Sequence, residues 1–315
     1  FILNIKVRQV YPWLHSTIKQ GKKNLSNYPE IPKYIKQIFV HKLASVALLN
    51  TSSIFIYSFS SLSLVTYFMN YNLIILKVDA LITQLLNSTS AGVGNLVAEG
   101  NKTKIKKVFE ELLAIRYFIA ILLSLCIYFC INQFISIWLG AEYLLSNNII
   151  ILIITAFYLK QTGEIVDQFL RAHGLFYDIW APLTEASINI LVSIIGGLLW
   201  GLEGVLWGPI ISMLVIVHLW KPYFLYSKGL NISVLKYWKI IIIYTSILFT
   251  TFFIYNYMNF NIIHPLIEGS NDLLNFILYC VATVLSLSIL LIGEMMLFSS
   301  GIRSFLHRIY KTIRK

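Results

Sequence analysis

Four ionisable side chains share one face of an apolar stretch, and their chemistry suits the handling of charged solutes. Their offsets of 0, 4, 7 and 11 positions keep all of them within about 40° of the first residue at 100° per residue on a helix. Charged groups inside an apolar span are costly, so the stripe must face the protein interior or water rather than lipid. The cations can attract an anionic group, and the carboxylates can bind ions or protons. The four residues are Lys160, Glu164, Asp167 and Arg171.

Two other apolar stretches carry polar groups of the same kind. The following stretch has Asp178, Glu185 and Asn189 at offsets of 0, 7 and 11, and an earlier stretch has Lys77 and Asp79. Ionisable residues within membrane spans mark substrate and ion pathways. The sequence therefore predicts a pathway formed by Lys77, Asp79, Lys160, Glu164, Asp167, Arg171, Glu185 and Asn189.

A simpler interpretation of these residues stays open. Lys160–Glu164 and Asp167–Arg171 have i,i+4 spacing, and such pairs neutralise each other within one helix. Groups near the inner headgroups, such as Arg171 and Asp178, can also extend to water beside apolar surface. The deeper groups favour a water-filled pathway.

Motifs for chemistry on a substrate are absent from the sequence. It contains no glycine-rich phosphate loop, no HExxH and no GxSxG. Cys126, Cys130 and Cys280 lie in apolar stretches, and no histidine or acidic partner completes a metal-ligand set with them. The sequence predicts neither an enzyme nor a cofactor or metal site.

Eight long apolar stretches must position the charged groups. Hydrophobic residues make up 57% of the chain and charged residues 12%, which excludes an ordinary soluble domain. Each stretch has about 18–27 residues, enough to cross a hydrocarbon core of ~30 Å. The sequence predicts an all-α polytopic membrane protein with about eight transmembrane helices. The stretches are 43–68, 74–98, 113–139, 147–170, 181–200, 203–220, 237–258 and 273–298.

The basic residues predict the orientation of these stretches. All but two of the 25 Lys and Arg residues lie in, or within about four residues of, the leading segment, alternate connections or the tail; the two exceptions are Lys77 and Lys160. The positive-inside rule therefore predicts that both ends are cytoplasmic. The net charge of +11 faces anionic membrane lipids rather than nucleic acid. We expect a cytoplasmic linker with an amphipathic segment over 1–42, a transmembrane bundle over 43–298 and a basic amphipathic tail over 299–315.

Local signals refine this organisation. The run Gly201-Leu202-Glu203-Gly204 predicts a very short outer hairpin between the fifth and sixth stretches. Gly208-Pro209 predicts a kink in the sixth. Apolar residues recur at helical spacing among basic residues after Gly100 and again in the tail. These two patterns predict helices that lie in the headgroup plane and need no protein partner.

Several short runs between residues 40 and 230 occur in a recognisable order. Together with the topology they resemble bacterial polysaccharide flippases, the O-antigen and capsule-type members of the multidrug, oligosaccharidyl-lipid and polysaccharide exporter superfamily. No single run is diagnostic. The runs are Gly94-Asn95-Leu96-Val97-Ala98-Glu99-Gly100 with a following lysine-rich helix, Ile137-Trp138-Leu139-Gly140-Ala141-Glu142-Tyr143, the segments 167–178 and 180–189, and Lys221-Pro222-Tyr223.

The resemblance implies a fold and a transport function. The family fold has two helical bundles around a central cavity that opens alternately to either side, and the chain would form the second lobe of a fourteen-helix member. The opening Phe1–Ile5 reads like the end of an earlier helix, so we expect a longer protein. The implied substrate is an undecaprenyl-pyrophosphate-linked oligosaccharide, moved from the inner to the outer leaflet of the bacterial cytoplasmic (inner) membrane during O-antigen or lipopolysaccharide biosynthesis. H⁺ or Na⁺ and other polysaccharide assembly proteins are the further implied partners.

Two rival functions follow from the same sequence. A cation-coupled multidrug exporter of the same superfamily would favour aromatic and acidic groups over cations in its cavity. A membrane glycan polymerase or ligase would carry Arg and His in a large outer loop. The longest outer loop here, 259–272, has His264 but no Arg, which disfavours the second rival.

Overall fold

The computed structural model of this chain describes residues 27–263 and 272–313, together with Lys6, residues 9–12, Gly21 and Leu25. The described part is helical and contains no strand. Of the predicted linker 1–42, 19 residues, all before residue 27, lie outside the described residues, and residues 30–42 form the first part of a helix. The helices are α1 (Glu30–Phe59), α2 (Leu62–Asn87), α3 (Ser90–Ala98), α4 (Lys102–Trp138), α5 (Asn147–Ala172), α6 (Trp180–Leu230), α7 (Leu235–Met258), α8 (Asp272–Phe298) and α9 (Ser300–Ile313).

Six helical segments in the described part are long and apolar enough to cross a membrane. The chain is therefore an all-helical, multi-pass membrane protein, as its composition predicts. The sequence predicts eight spans rather than six, and the two counts differ at α1 and α6. The six segments are Leu62–Ala98, Lys102–Trp138, Asn147–Ala172, Trp180–Leu230, Leu235–Ile263 and Leu273–Phe298.

The first predicted span, 43–68, is interrupted in the structure. Helix α1 begins at Glu30 and ends at Phe59, and Ser60 has an extended backbone. Ser61 then caps α2, because its side-chain oxygen accepts a hydrogen bond from the Leu64 amide at 3.3 Å. The boundaries predicted for this span are therefore wrong: serine competes with the helix by capping the backbone.

Helix α6 is a hairpin of two antiparallel arms. Trp200 and Gly201 have non-helical dihedral angles, and Gly201 has a positive φ of 57°, a conformation that glycine adopts without steric cost. On either side of this turn, Gly196 and Gly204 pack backbone against backbone. Ser193 Oγ also donates a hydrogen bond to the Val205 carbonyl at 3.1 Å. The predicted hairpin is confirmed.

At Gly208-Pro209, where the sequence predicts a kink, the backbone keeps helical dihedral angles. Non-helical angles within Trp180–Ser212 occur at Trp200 and Gly201, and the chain remains α-helical through Pro209. Wider π-helical turns begin afterwards, over Met213–Trp220 and Leu225–Leu230. The second arm therefore continues to Leu230, about ten residues beyond the predicted end of that span at residue 220.

The charged helix α5 lies at the centre of the bundle. In its most apolar window 67% of the residues are buried, against 22% in the corresponding windows of α2–α3, α7 and α8. One apolar core joins α5 to α4, α7 and α8 through residues such as Phe109 and Leu287. A second core joins α5 to α1, α2 and α6 through residues such as Ile153 and Val205. Polar groups on α5 are therefore placed to meet several other helices.

The two predicted interfacial helices are both packed against protein. The residues after Gly100 form the first turns of the continuous helix α4, where Ile105 and Phe109 are buried. The tail helix α9 lies on α4, because Ser304 Oγ donates to Glu111 Oε1 at 2.6 Å and Arg308 Nη2 lies 2.7 Å from Glu111 Oε2. The expectation that these helices need no partner is wrong. The buried carboxylate of Glu111 is the point at which α9 docks on α4.

Candidate functional site

Lys160 pairs with a carboxylate on another helix. Its Nζ donates to Asp79 Oδ2 on α2 at 2.9 Å, and Gln161 Nε2 donates to the other oxygen, Oδ1, at 2.6 Å. The intrahelical pair Lys160–Glu164 is therefore not formed. Two residues of the predicted pathway, Lys160 and Asp79, are brought together across 81 positions of sequence.

A buried arginine extends this contact into the bundle. Arg116 on α4 is buried, and its Nη1 donates to Gln161 Oε1 at 3.4 Å. We name Asp79, Arg116, Lys160 and Gln161 the Asp79 cluster. It carries two cations and one carboxylate, so its formal charge is positive.

Arg116 was missed in the predicted pathway because the sequence assigns it to a basic connection. Helix α4 begins at Lys102, which places Arg116 roughly 20 Å along the helix at 1.5 Å per residue. Its position within the apolar stretch 113–139 was the signal that could have identified it.

Glu164 and Arg171 form a pair on the more open side of α5. Arg171 Nη2 lies 3.6 Å from Glu164 Oε2, so the arginine reaches back two helical turns. The expected Asp167–Arg171 pair is therefore not formed. The Arg171 side chain is 50% exposed, which matches its predicted ability to reach water.

Lys221 brings together two other predicted pathway residues. Its Nζ lies 3.0 Å from Asp167 Oδ1 and donates to Asp167 Oδ2 at 3.1 Å, while Glu185 Oε2 is 3.9 Å away. These three residues, here the Lys221 triad, join α5 to both arms of α6. The sequence assigns Lys221 to a loop, whereas in the structure it lies in the second arm of α6, which continues to Leu230.

Asp178 is buried rather than extended towards the headgroups. Trp220 Nε1 donates to its Oδ2 at 3.1 Å, and the His41 imidazole lies 3.6 Å from its Oδ1. The carboxylate thereby links the start of α6, the second arm of α6 and α1. The interpretation of Asp178 as a group that only extends to water is not supported.

Two members of the predicted pathway lie apart from these charged groups. Asn189 is buried inside the hairpin, where its Oδ1 accepts from Ser193 Oγ at 3.3 Å and Gly208 packs against it. Its role is to hold the two arms together. Lys77 is exposed, and the described residues offer it no ion pair.

Polar contacts continue towards the end of α5, where it meets the junction of α2 and α3. Gln168 Nε2 donates to Thr89 Oγ1 at 2.9 Å and to Ser90 Oγ at 3.1 Å. The polar face that contains Asp79 and Ser90 therefore faces α5 over several turns. Among the described residues, no group of three or more His, Cys, Asp or Glu is arranged to hold a metal ion.

A separate apolar groove lies beside the turn of the hairpin. Its volume is about 570 Å³, and its lining includes Trp200, Trp207 and Glu203. Ser146 Oγ donates to Glu203 Oε1 at 3.3 Å, which fixes the one carboxylate at the groove. The groove contains aromatic and acidic side chains but none of the cations described above.

Comparison with known proteins identifies no relative. Neither a protein-family model, nor a curated protein, nor a solved structure matches this chain.

Proposed function

We propose that this chain belongs to a flippase that moves a lipid-linked oligosaccharide, an undecaprenyl-pyrophosphate glycan, from the inner to the outer leaflet of the bacterial cytoplasmic membrane. One observation carries the proposal: Lys160 is 42% exposed although it lies in the middle of the most buried membrane helix. A charged group at this depth needs water beside it, because contact with lipid would cost at least ~2.5 kcal/mol. A wet polar surface within an apolar bundle suits a sugar headgroup, while the lipid tail stays in the bilayer.

The charges of the Asp79 cluster support an anionic substrate. Its two cations, Lys160 and Arg116, share one carboxylate, so the cluster retains a positive charge. Arginine and lysine are the side chains that recognise phosphate groups in proteins. Arg171 is also half exposed and extends the cationic surface towards the inner headgroups.

The proposed topology has eight crossings with both ends cytoplasmic. The two arms of α6 cross separately, and α1 supplies the remaining crossing beyond the six segments. In this proposal the bundle is one lobe of a two-lobe transporter that works by alternating access. The sequence resemblance to polysaccharide flippases supports this arrangement, and it implies H⁺ or Na⁺ and other polysaccharide assembly proteins as partners.

A cation-coupled multidrug exporter is a second candidate, because the groove beside the hairpin turn is lined by Trp200, Trp207 and Glu203. Aromatic and acidic walls suit lipophilic cations. The Asp79 cluster favours the flippase, since its excess cation would repel such a substrate.

Complementation separates the two candidates. The native gene is replaced by alleles encoding Lys160→Ala, Lys160→Arg or wild-type protein, and surface glycan is measured at matched protein abundance. We expect Lys160→Ala to abolish surface glycan and Lys160→Arg to retain part of it. Normal glycan in a deletion strain, combined with increased sensitivity to cationic dyes, would favour the exporter and overturn the flippase.

A further inference from the structure

Glu185 is a buried carboxyl group to which no described residue donates a hydrogen bond. It is 9% exposed, and its nearest charged partner, Lys221 Nζ, lies 3.9 Å away, beyond hydrogen-bond distance. Burial disfavours the charged form of a carboxyl group, and the ammonium group nearest to Glu185 lies closer to Asp167. We propose that Glu185 holds a proton at neutral pH, and that the Lys221 triad is a binding site for a single exchangeable proton.

The ammonium group of Lys221 pairs with the carboxylate of Asp167. It contacts both oxygens of Asp167, at 3.0 Å and 3.1 Å, and only 15% of the Lys221 side chain is exposed. Asp167 and Lys221 thus form a neutral pair. Glu185 is left as the third charge in the same enclosed space.

The charge balance of the triad requires one further positive charge. Two carboxylates and one ammonium leave a net charge of −1, and an uncompensated charge in a mostly buried site is costly. A proton on Glu185 makes the triad neutral. The carboxyl group then needs no cation, which agrees with the long distance to Lys221.

Neighbouring cations in the described part are engaged elsewhere. On α5, Arg171 lies against Glu164. On the second arm of α6, the His218 imidazole donates through Nε2 to the Leu159 carbonyl at 3.0 Å. On α1, His41 lies against Asp178. Among the described groups, none of these cations neutralises Glu185, whereas a proton on its carboxyl group does.

The geometry allows the proton to exchange between the two acids. A shift of roughly 1 Å would bring the ammonium from 3.9 Å into hydrogen-bond range of Glu185. Glu185 would then lose its proton, and Asp167 would gain one through water, so the total charge is unchanged. Asp167 is the more exposed acid, at 24% against 11% for the Glu185 side chain.

Proton exchange would be coupled to helix packing because the two acids lie on different elements. Pairing with Asp167 holds the second arm of α6 to α5, whereas pairing with Glu185 holds the two arms to each other. As the coupling ion of a transporter, this proton rests on the proposed function. As a property of the triad, it does not depend on transport.

Infrared spectroscopy of the purified full-length protein in lipid tests the inference without any transport assay. A protonated carboxyl group has a C=O stretching band that a carboxylate lacks and that shifts in D₂O. We expect the Glu185→Gln variant to lose one such band at neutral pH. Asp167→Asn should lose it as well, because Lys221 then pairs with an ionised Glu185.

Replacement of the lysine should have the opposite effect. In Lys221→Met both acids lack an ammonium, so the band should increase to roughly twice its wild-type intensity. Glu203→Gln, at the hairpin turn, is the control and should leave the band unchanged. Size-exclusion profiles identify variants that do not fold. If Lys221→Met does not fold, the Glu185→Gln and Asp167→Asn spectra test the inference without it.

The following results would overturn the inference. A band that survives in Glu185→Gln means that Glu185 is ionised. A band that survives in Asp167→Asn but not in Glu185→Gln rules out the exchange of Lys221 between the acids. Failure of the glycan assay with these infrared results intact would reject the flippase function alone.

Discussion

The Lys160–Asp79 contact predicts a specific pattern of coupled mutations. Lys160→Ala leaves Asp79, whose side chain is 17% exposed, with Gln161 as its remaining donor. Removing one partner of a fully buried ion pair costs about 3–5 kcal/mol, while exposed pairs contribute about 0–1 kcal/mol. Because the lysine is 42% exposed, we expect an intermediate loss of about 1–2 kcal/mol.

A double-mutant cycle measures this contact directly. Asp79→Asn keeps an acceptor for Gln161 but removes the charge, so Lys160→Ala combined with Asp79→Asn should recover most of the single-mutant loss. The coupling energy should be about 1 kcal/mol or more, whereas the cycle with Glu164→Ala should give less than about 0.5 kcal/mol. The assay is thermal unfolding of purified protein in lipid nanodiscs, and Glu164 is the matched control.

One pattern of recovery would show that the Lys160–Asp79 contact does not form. Recovery of Lys160→Ala by Glu164→Ala, with no recovery by Asp79→Asn, would show that the intrahelical i,i+4 pair forms in the membrane. The packing of α2 against the charged face of α5 would then be wrong.

Three further predictions concern the hairpin, the tail and the topology. Gly204→Leu should reduce the yield of folded protein because its Cβ would overlap the Gly196 backbone, whereas Gly92→Ala, in open space, should be neutral. Size-exclusion profiles at matched expression test this, and equal yields would contradict the packing of the arms. Glu111→Ala should weaken the docking of α9 by about 1.4 kcal/mol, and this loss should raise the rate of protease cleavage in the tail about tenfold. Unchanged cleavage would contradict the docking. In a variant without native cysteines, Asn147→Cys should react with impermeant thiol reagents added outside and Lys228→Cys only after cells are opened; the reverse pattern would invert the topology.

Much of the fold follows from patterns that depend on local sequence. The helical character, the central charged stripe of α5 and the hairpin at Gly201 are predicted by apolar length, by 3.6-residue periodicity and by glycine chemistry. The break at Ser60 and Ser61 was missed because serine side chains are tolerated in apolar runs and also cap helices. The length of an apolar run alone does not show whether a serine within it continues a helix or caps the next one.

The partners of the charged residues were less predictable. Spacing on α5 correctly predicts that its charges share a face, but it favours partners on the same helix over those on other helices. Asp79 and Lys221 come from distant parts of the chain. They pair with the charged residues of α5 in place of the i,i+4 partners because they lie closer in the folded bundle. Lys221 was assigned to a basic connection because α6 extends beyond its apolar stretch, and Arg116 because it lies at the start of the stretch 113–139, close to the preceding lysines.

The central claim is tested most directly by translocation of a defined substrate. The full-length protein is reconstituted into vesicles that carry a fluorescent undecaprenyl-pyrophosphate oligosaccharide in one leaflet, and its appearance in the other leaflet is measured with a membrane-impermeant quencher. We predict translocation by the wild-type protein and none by the Lys160→Ala variant at equal reconstitution. Absence of translocation by the wild-type protein, in vesicles where it instead transports a lipophilic cation, would contradict the account.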